Sequence, residues 1–152
     1  MSNGSDPAVE ERKAWMGLLA KVEPARLAAL WEGWGDVPAH QVLRAPEIGG
    51  VMVRGRTGAV GEAFNLGEMT VTRCSIRLAT GEAGHAYVQG RGKDHALQAA
   101  LIDGLMQTEA SARVEAAILG PLRDEAAAQK AQRAAKAAAT KVDFFTMVRG
   151  DN

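Results

Sequence analysis

Cysteine occurs once in these 152 residues, at Cys74. A lone thiol excludes an intrachain disulfide and cannot complete a sulfur-rich zinc site. Charge of one sign is lacking too, since 18 basic residues balance 18 acidic ones. Nonspecific nucleic-acid binding draws on a basic excess, so that class is set aside. No apolar run approaches the ~20 residues that a membrane-spanning helix needs. Ser2 to Arg12 is too polar for a secretory leader, so a soluble cytoplasmic protein is expected. Aromatics are scarce at 5%, and Phe144 and Phe145 sit together near the end, an odd place for residues of a self-contained core. No G-x-x-x-x-G-K-[ST] occurs, which excludes a P-loop ATPase. Gly55, Gly58 and Gly61 approach a dinucleotide fingerprint, but Phe64-Asn65-Leu66-Gly67 follows where a helix should start. A glycine-rich turn is the simpler reading.

What is present suffices for one domain, able to bury about two thirds of its unfolded surface. Residues 1–8 are polar and expected to be disordered. Trp15, Leu18, Leu19 and Val22 form one helical stripe, and Pro24 opens a second helix lined by Leu27, Leu30, Trp31 and Trp34. Four strands are predicted at about 40–45, 50–56, 68–79 and 84–91, with turns at Pro46–Gly49, Gly55–Gly67 and Gly81–Gly84. In the third, Thr70, Thr72, Cys74, Ile76 and Leu78 share one face, and Val71, Arg73, Ser75 and Arg77 the other. No helix intervenes, so an antiparallel sheet is expected. Asp94 reads as the N-cap of a helix carrying Leu97, Leu101, Ile102, Leu105 and Met106, in which Gly104 is a weak point unless close packing needs it. Whether that helix runs to Leu119 or breaks near Gln107 stays open. Gly120-Pro121 should end one segment and begin another. Residues 124–139 form a helix with no large apolar stripe, a solvated arm. The expected fold is α+β: an N-terminal helical hairpin, a mostly antiparallel sheet of about four strands, then C-terminal helices and an apolar tail. Residues 9–120 would be the body and 121–152 an arm with a docking tail.

Arginines are the strongest chemical signal. Arg54 and Arg56 share a face of one predicted strand, Arg73 and Arg77 a face of the next, and His85, Gln89 and Arg91 a face of the last. Converging guanidinium groups repel, so a cluster implies an anionic partner. Three readings stay open: pairing within the chain to Glu47, Glu62, Glu68 and Glu82, pairing with another subunit, or contact with a phosphorylated ligand. Arg54, Arg56, Arg73, His85 and Arg91 are the candidate substrate-binding residues. His40, His85 and His95 lie far apart in sequence, so no metal site is assigned. Cys74 sits on an aliphatic strand face without an adjacent base, as a small hydrophobe. No catalytic residue is assigned. Val142, Phe144, Phe145, Met147 and Val148 concentrate apolar side chains beyond the solvated arm, and are candidate partner-binding residues.

The words FNLGEMTVTRC (Phe64 to Cys74), GHAYVQGR (Gly84 to Arg91) and ATKVDFFTMVRG (Ala139 to Gly150) resemble the G subunit of the bacterial carbon–phosphorus lyase core complex. The likeness runs from about Trp15 to the C-terminus. It implies an accessory subunit acting in phosphonate breakdown beside H, I and J subunits, with an L protein assisting. It implies that the assembly exchanges the adenine of ATP for methylphosphonate, giving ribose 1-methylphosphonate 5-triphosphate. An iron–sulfur cluster and S-adenosylmethionine would belong to the J subunit, with no cofactor in this chain; a single cysteine could not hold a four-thiolate cluster. A homo-oligomer when isolated is also conceivable. The alternative from the residues alone is an independent anion-binding module or small enzyme using the arginine-bearing sheet face.

Overall fold

The computed structural model describes residues 6–56 and 63–150, with side chains at 6–53 and 67–143. Helix α1 spans Pro7–Lys21 and carries Trp15, Leu18 and Leu19 of the predicted stripe. The Asp6 carboxylate accepts from the Ala8 N–H at 3.0 Å, and Pro7 has no N–H to leave unpaired in the first turn. Helix α2 spans Pro24–Trp34 and closes on Gly35, whose φ of 72° is the left-handed stop that glycine adopts without strain. Trp15, Leu19 and Leu27 face the core, as their spacing requires.

Three strands follow: β1 (His40–Arg56), β2 (Ala63–Leu78) and β3 (Ala83–Gln89), antiparallel in the order β1-β2-β3. The expectation of about four strands is corrected here, because the two predicted at 40–45 and 50–56 are one. Pro46 does not turn the chain. β1 lies at the sheet edge, where a residue without an N–H removes no ladder bond that matters, and the pairing slips at Val42/Arg44 and Arg44/Glu47 around it. The β2–β3 connection is the expected tight hairpin, with the Leu78 N–H bonded to the Glu82 carbonyl at 2.8 Å. β3 stops before Arg91, since Gly90 takes φ 94° and turns the chain off the sheet.

Helix α3 (Lys93–Leu105) crosses the inner sheet face. Its cap is Gly92, so Asp94 falls in the first turn and is not the N-cap predicted for it. The approach is close. A Cβ at Gly84 would sit 2.0 Å from the Ala100 carbonyl oxygen, and one at Gly104 would sit 3.2 Å from Leu78. The glycine that weakens α3 therefore lets it lie against the strands. Ala96, Ala99 and Ala100 continue this small-residue contact, and Leu101, Ile102 and Leu105 fill the space around it.

The chain breaks after Leu105, resolving the open question near Gln107. The Thr108 hydroxyl donates to the Leu105 carbonyl at 2.6 Å and accepts from the Ala110 N–H at 3.1 Å. A short helix α4 (Ser111–Val114) leads through a wide π-turn (Glu115–Leu119) into α5 (Gly120–Gly150). Gly120-Pro121 thus does not separate two segments. The Gly120 N–H reaches back five residues to the Glu115 carbonyl, and this widened turn accommodates the donor that Pro121 lacks. Val114, Ile118, Leu119 and Leu122 complete the core. Beyond Leu122, every described side chain of α5 is exposed except the half-buried Glu125. At ~1.5 Å per residue the helix is about 46 Å long, most of it off the body. The apolar tail continues it as helix to Gly150; Val142 is 62% exposed, and the side chains of Phe144, Phe145, Met147 and Val148 lie outside the described residues.

Candidate functional site

Strand alternation gives the sheet a polar outer face. Arg73, Ser75 and Arg77 of β2 lie beside His85, Tyr87 and Gln89 of β3, while Cys74, Ile76, Ala86 and Val88 point into the core. Arg73 is opposite Tyr87 on one side and Glu47 on the other, and its Nη2 meets the Glu47 Oε1 at 3.2 Å. The second Glu47 oxygen accepts from Arg44 at 3.3 Å, so one carboxylate sits between two guanidinium groups. Arg73 thus has one partner within the chain. All three side chains are about half exposed, and such pairs contribute roughly 0–1 kcal/mol. Arg77 has no ion pair among the described residues. The His85 Nδ1 and the Ser75 hydroxyl share a hydrogen bond of 3.0 Å.

The register separates the five candidate ligand-binding residues into three places. Arg73 and His85 belong to the outer face just described. Arg54 and Arg56 pair with Asn65 and Ala63, so their backbone lies eight and ten residues, ~26 and ~33 Å, further along the sheet from Arg73. Arg91 lies past the end of β3, at the start of α3.

The far part of the sheet is a ribbon. β3 pairs only with Val71–Arg77 of β2, which leaves β1 and β2 to run on as two strands. A two-stranded ribbon is marginal alone, and this one keeps an apolar side chain in water: Met52, opposite Glu68, is 56% exposed. The Glu68 side chain folds over Gly50, where a Cβ would collide with its carboxylate.

Two buried polar groups were not singled out by sequence reasoning. Asp103, fully buried on α3, accepts from Arg12 Nε at 3.1 Å and Nη2 at 2.7 Å, from Trp15 Nε1 at 2.8 Å, and from the His85 N–H at 2.8 Å. Four donors satisfy the carboxylate and tie α1, α3 and β3 together. The Asp103 carboxylate in turn holds the Arg12 guanidinium above its ordinary pKa. The available signal was a single acid inside the apolar run Leu101-Ile102-Asp103-Gly104-Leu105, a position that demands a partner. His95, 3% exposed, sets its Nε2 2.7 Å from the Leu19 carbonyl. Cys74 is buried as its strand face implies, and burial pushes its thiol pKa up. Among the described residues, no three His, Cys, Asp or Glu side chains gather into a metal-holding group, and no helix is long and apolar enough to cross a membrane.

Fold and surface together define a small α+β protein with a closed body, an ionic outer sheet face and two elements that reach beyond its core. Residues 10–150 match the family described as phosphonate metabolism protein PhnG, and the chain belongs to that family. It is 42% identical over 147 residues to the alpha-D-ribose 1-methylphosphonate 5-triphosphate synthase subunit PhnG of Rhizobium meliloti (strain 1021), spanning 97% of this chain and 94% of that protein.

Proposed function

We propose that this chain is an accessory subunit of an assembly that makes ribose 1-methylphosphonate 5-triphosphate. The observation that carries the reading is the 42% identity to a synthase subunit across nearly the whole of both chains. In that reaction the bond between adenine and the ribose of ATP breaks and a phosphonate oxygen takes its place. ATP is thus a substrate of the assembly, and its partners are H-, I- and J-type subunits with an L protein. The iron–sulfur cluster and S-adenosylmethionine serve the J-type partner in the later bond cleavage, and the working place is the cytoplasm.

Physical features of the chain fit a subunit role. The body buries a continuous core, whereas the ribbon and α5 leave apolar side chains in water that a partner would cover. Val142, Phe144, Phe145, Met147 and Val148 are assigned to docking on a partner. Arg54, Arg56, Arg73 and His85 are assigned to contact with partner carboxylates or with the triphosphate and phosphonate. Co-expression with the four partners, followed by purification and an adenine-release assay on ATP plus methylphosphonate, tests the reading. Adenine release that disappears when this chain is omitted supports it; unchanged release without the chain overturns it. Deleting residues 142–152 should detach the chain from its partners, and full co-purification of the shortened chain would end the docking role of the tail.

A further inference from the structure

A groove of about 950 Å³ runs between α1 and α5, lined by residues of both helices and by Arg26 of α2. Lys13, Gly17 and Lys21 recur every four residues and form a row along one wall. Ala126, Gln129 and Arg133 recur at spacings of three and four and form a row along the other. At ~1.5 Å per residue the lining extends ~12 Å along α1 and, from Leu122 to Arg133, ~16 Å along α5. Its apolar part is the half-buried Leu18 and Val22 and the buried Leu122.

Two independent observations ask for an occupant. The first is Gly17. A glycine inside a helix is destabilising relative to alanine, and it is tolerated where another group must come close. At Gly84 and Gly104 that group belongs to this chain. A Cβ at Gly17 would meet nothing within 4 Å, and its φ is not positive. The chain's own packing and backbone therefore do not require the missing side chain, yet the bare position lies in the groove. The second observation is charge. The chain as a whole is neutral, whereas five cations and two carboxylates line this groove. Glu125 is already held by Arg26 at 2.8 Å, and Arg123 is paired with Glu115. Lys13 has one exposed contact of 3.8 Å to Glu10, and Lys21 and Arg133 have no ion pair among the described residues. Cations in need of a partner thus stand on both walls.

We propose that this groove receives an acidic amphipathic helix from another subunit of the assembly, an inference that rests on the accessory-subunit reading above. Small or apolar residues of that helix lie over Gly17 and Ala126, where a missing or short side chain permits the ~8–10 Å spacing of packed helices. Asp or Glu on its two flanks meets Lys13 and Lys21 on one side and Arg133 on the other. Walls two to three turns long match a helical segment of that length. A nucleotide is served less well. Both walls are sides of helices whose N–H groups are bonded within the helix, and neither a glycine-rich loop nor an aromatic ring enters the lining.

The test uses the full-length chain co-expressed and purified with its partner subunits. A zero-length carbodiimide, which joins amines to carboxylates in contact, should couple Lys13 and Lys21 to Asp or Glu residues three or four apart in one segment of a partner, as read by mass spectrometry. Gly17→Leu fills the groove while favouring the helix. It should leave the thermal midpoint of the full-length chain unchanged or higher, yet weaken retention in the assembly tenfold or more. Lys21→Glu combined with Arg133→Glu should weaken retention about tenfold at low salt, and the gap to the native chain should narrow as salt rises. Where the native chain co-purifies, three results would each overturn the groove's role and leave subunit membership intact: coupling to this chain's own carboxylates only, coupling to a second copy, or full retention of Gly17→Leu. A fall in the midpoint of Gly17→Leu would assign the glycine to this chain's own packing and also overturn the proposal. A native chain that retains no partner overturns both readings.

Discussion

The body of this protein and its two extensions obey different rules. In the body, backbones approach until Gly84 has no room for a Cβ, and a fully buried carboxylate has four donors around it. Along α5 the described side chains beyond Leu122 are exposed save the half-buried Glu125, Met52 of the ribbon stands in water, and the Arg26–Glu125 ion pair is open to solvent. Contacts in the first region determine whether the chain folds. Contacts in the second add little to folding and leave those surfaces free for recognition.

Substitutions can break or sharpen that contrast. Asp103→Ala should have the largest effect, since it strands the Trp15 indole, the His85 N–H and the Arg12 guanidinium; about 3–5 kcal/mol of stability should be lost by urea unfolding. Gly84→Val comes next, at roughly 3 kcal/mol, because the added carbons would push α3 off β3. Across the divide, Met52→Lys should change stability by less than about 0.5 kcal/mol while reducing co-purification with partner subunits. A Met52→Lys chain that unfolds as readily as the Asp103 variant would erase the distinction between the regions.

The smallest effect concerns the junction between them. Arg26 holds the Glu125 carboxylate through Nε–Oε1 at 2.9 Å and Nη2–Oε2 at 2.8 Å, and this lowers the Glu125 pKa. A depressed carboxylate pKa stabilises the folded state above the ordinary glutamate range, and the contribution disappears as the pH falls through the lowered value. Acid should therefore release the root of α5 from α2 slightly, and Glu125→Gln should abolish that dependence. Hydrogen exchange in α5 measured across the acid range would show it.

Much of the body was legible because period and burial coincide. Cys74, Ile76 and Leu78 alternate inward, and Trp15 and Leu19 recur at helical spacing, so elements and faces followed directly. Pro46 misled because its effect depends on where its strand lies: a proline that would break a central strand is harmless at an edge, and edge position is a tertiary fact. Asp94 misled for a related reason, since the turn through Gly90 and Gly92 starts α3 two residues earlier. Of the candidate site, the outward direction of Arg73 and His85 was readable from alternation. The separation of Arg54 and Arg56 from them was not, because the distance depends on pairing register. Asp103 was visible as an acid in an apolar run, but its partners Arg12 and His85 are distant in sequence.

The wide turn ahead of Pro121 does more than accommodate an imino acid. One surplus residue at the root of a helix rotates all that follows by about 100° relative to the packed turns before it. That offset sets the bearing at which α5 leaves, and hence the direction its distant end presents to a neighbour. Removing Ala117 would leave the composition of α5 untouched and still change the bearing at which it departs.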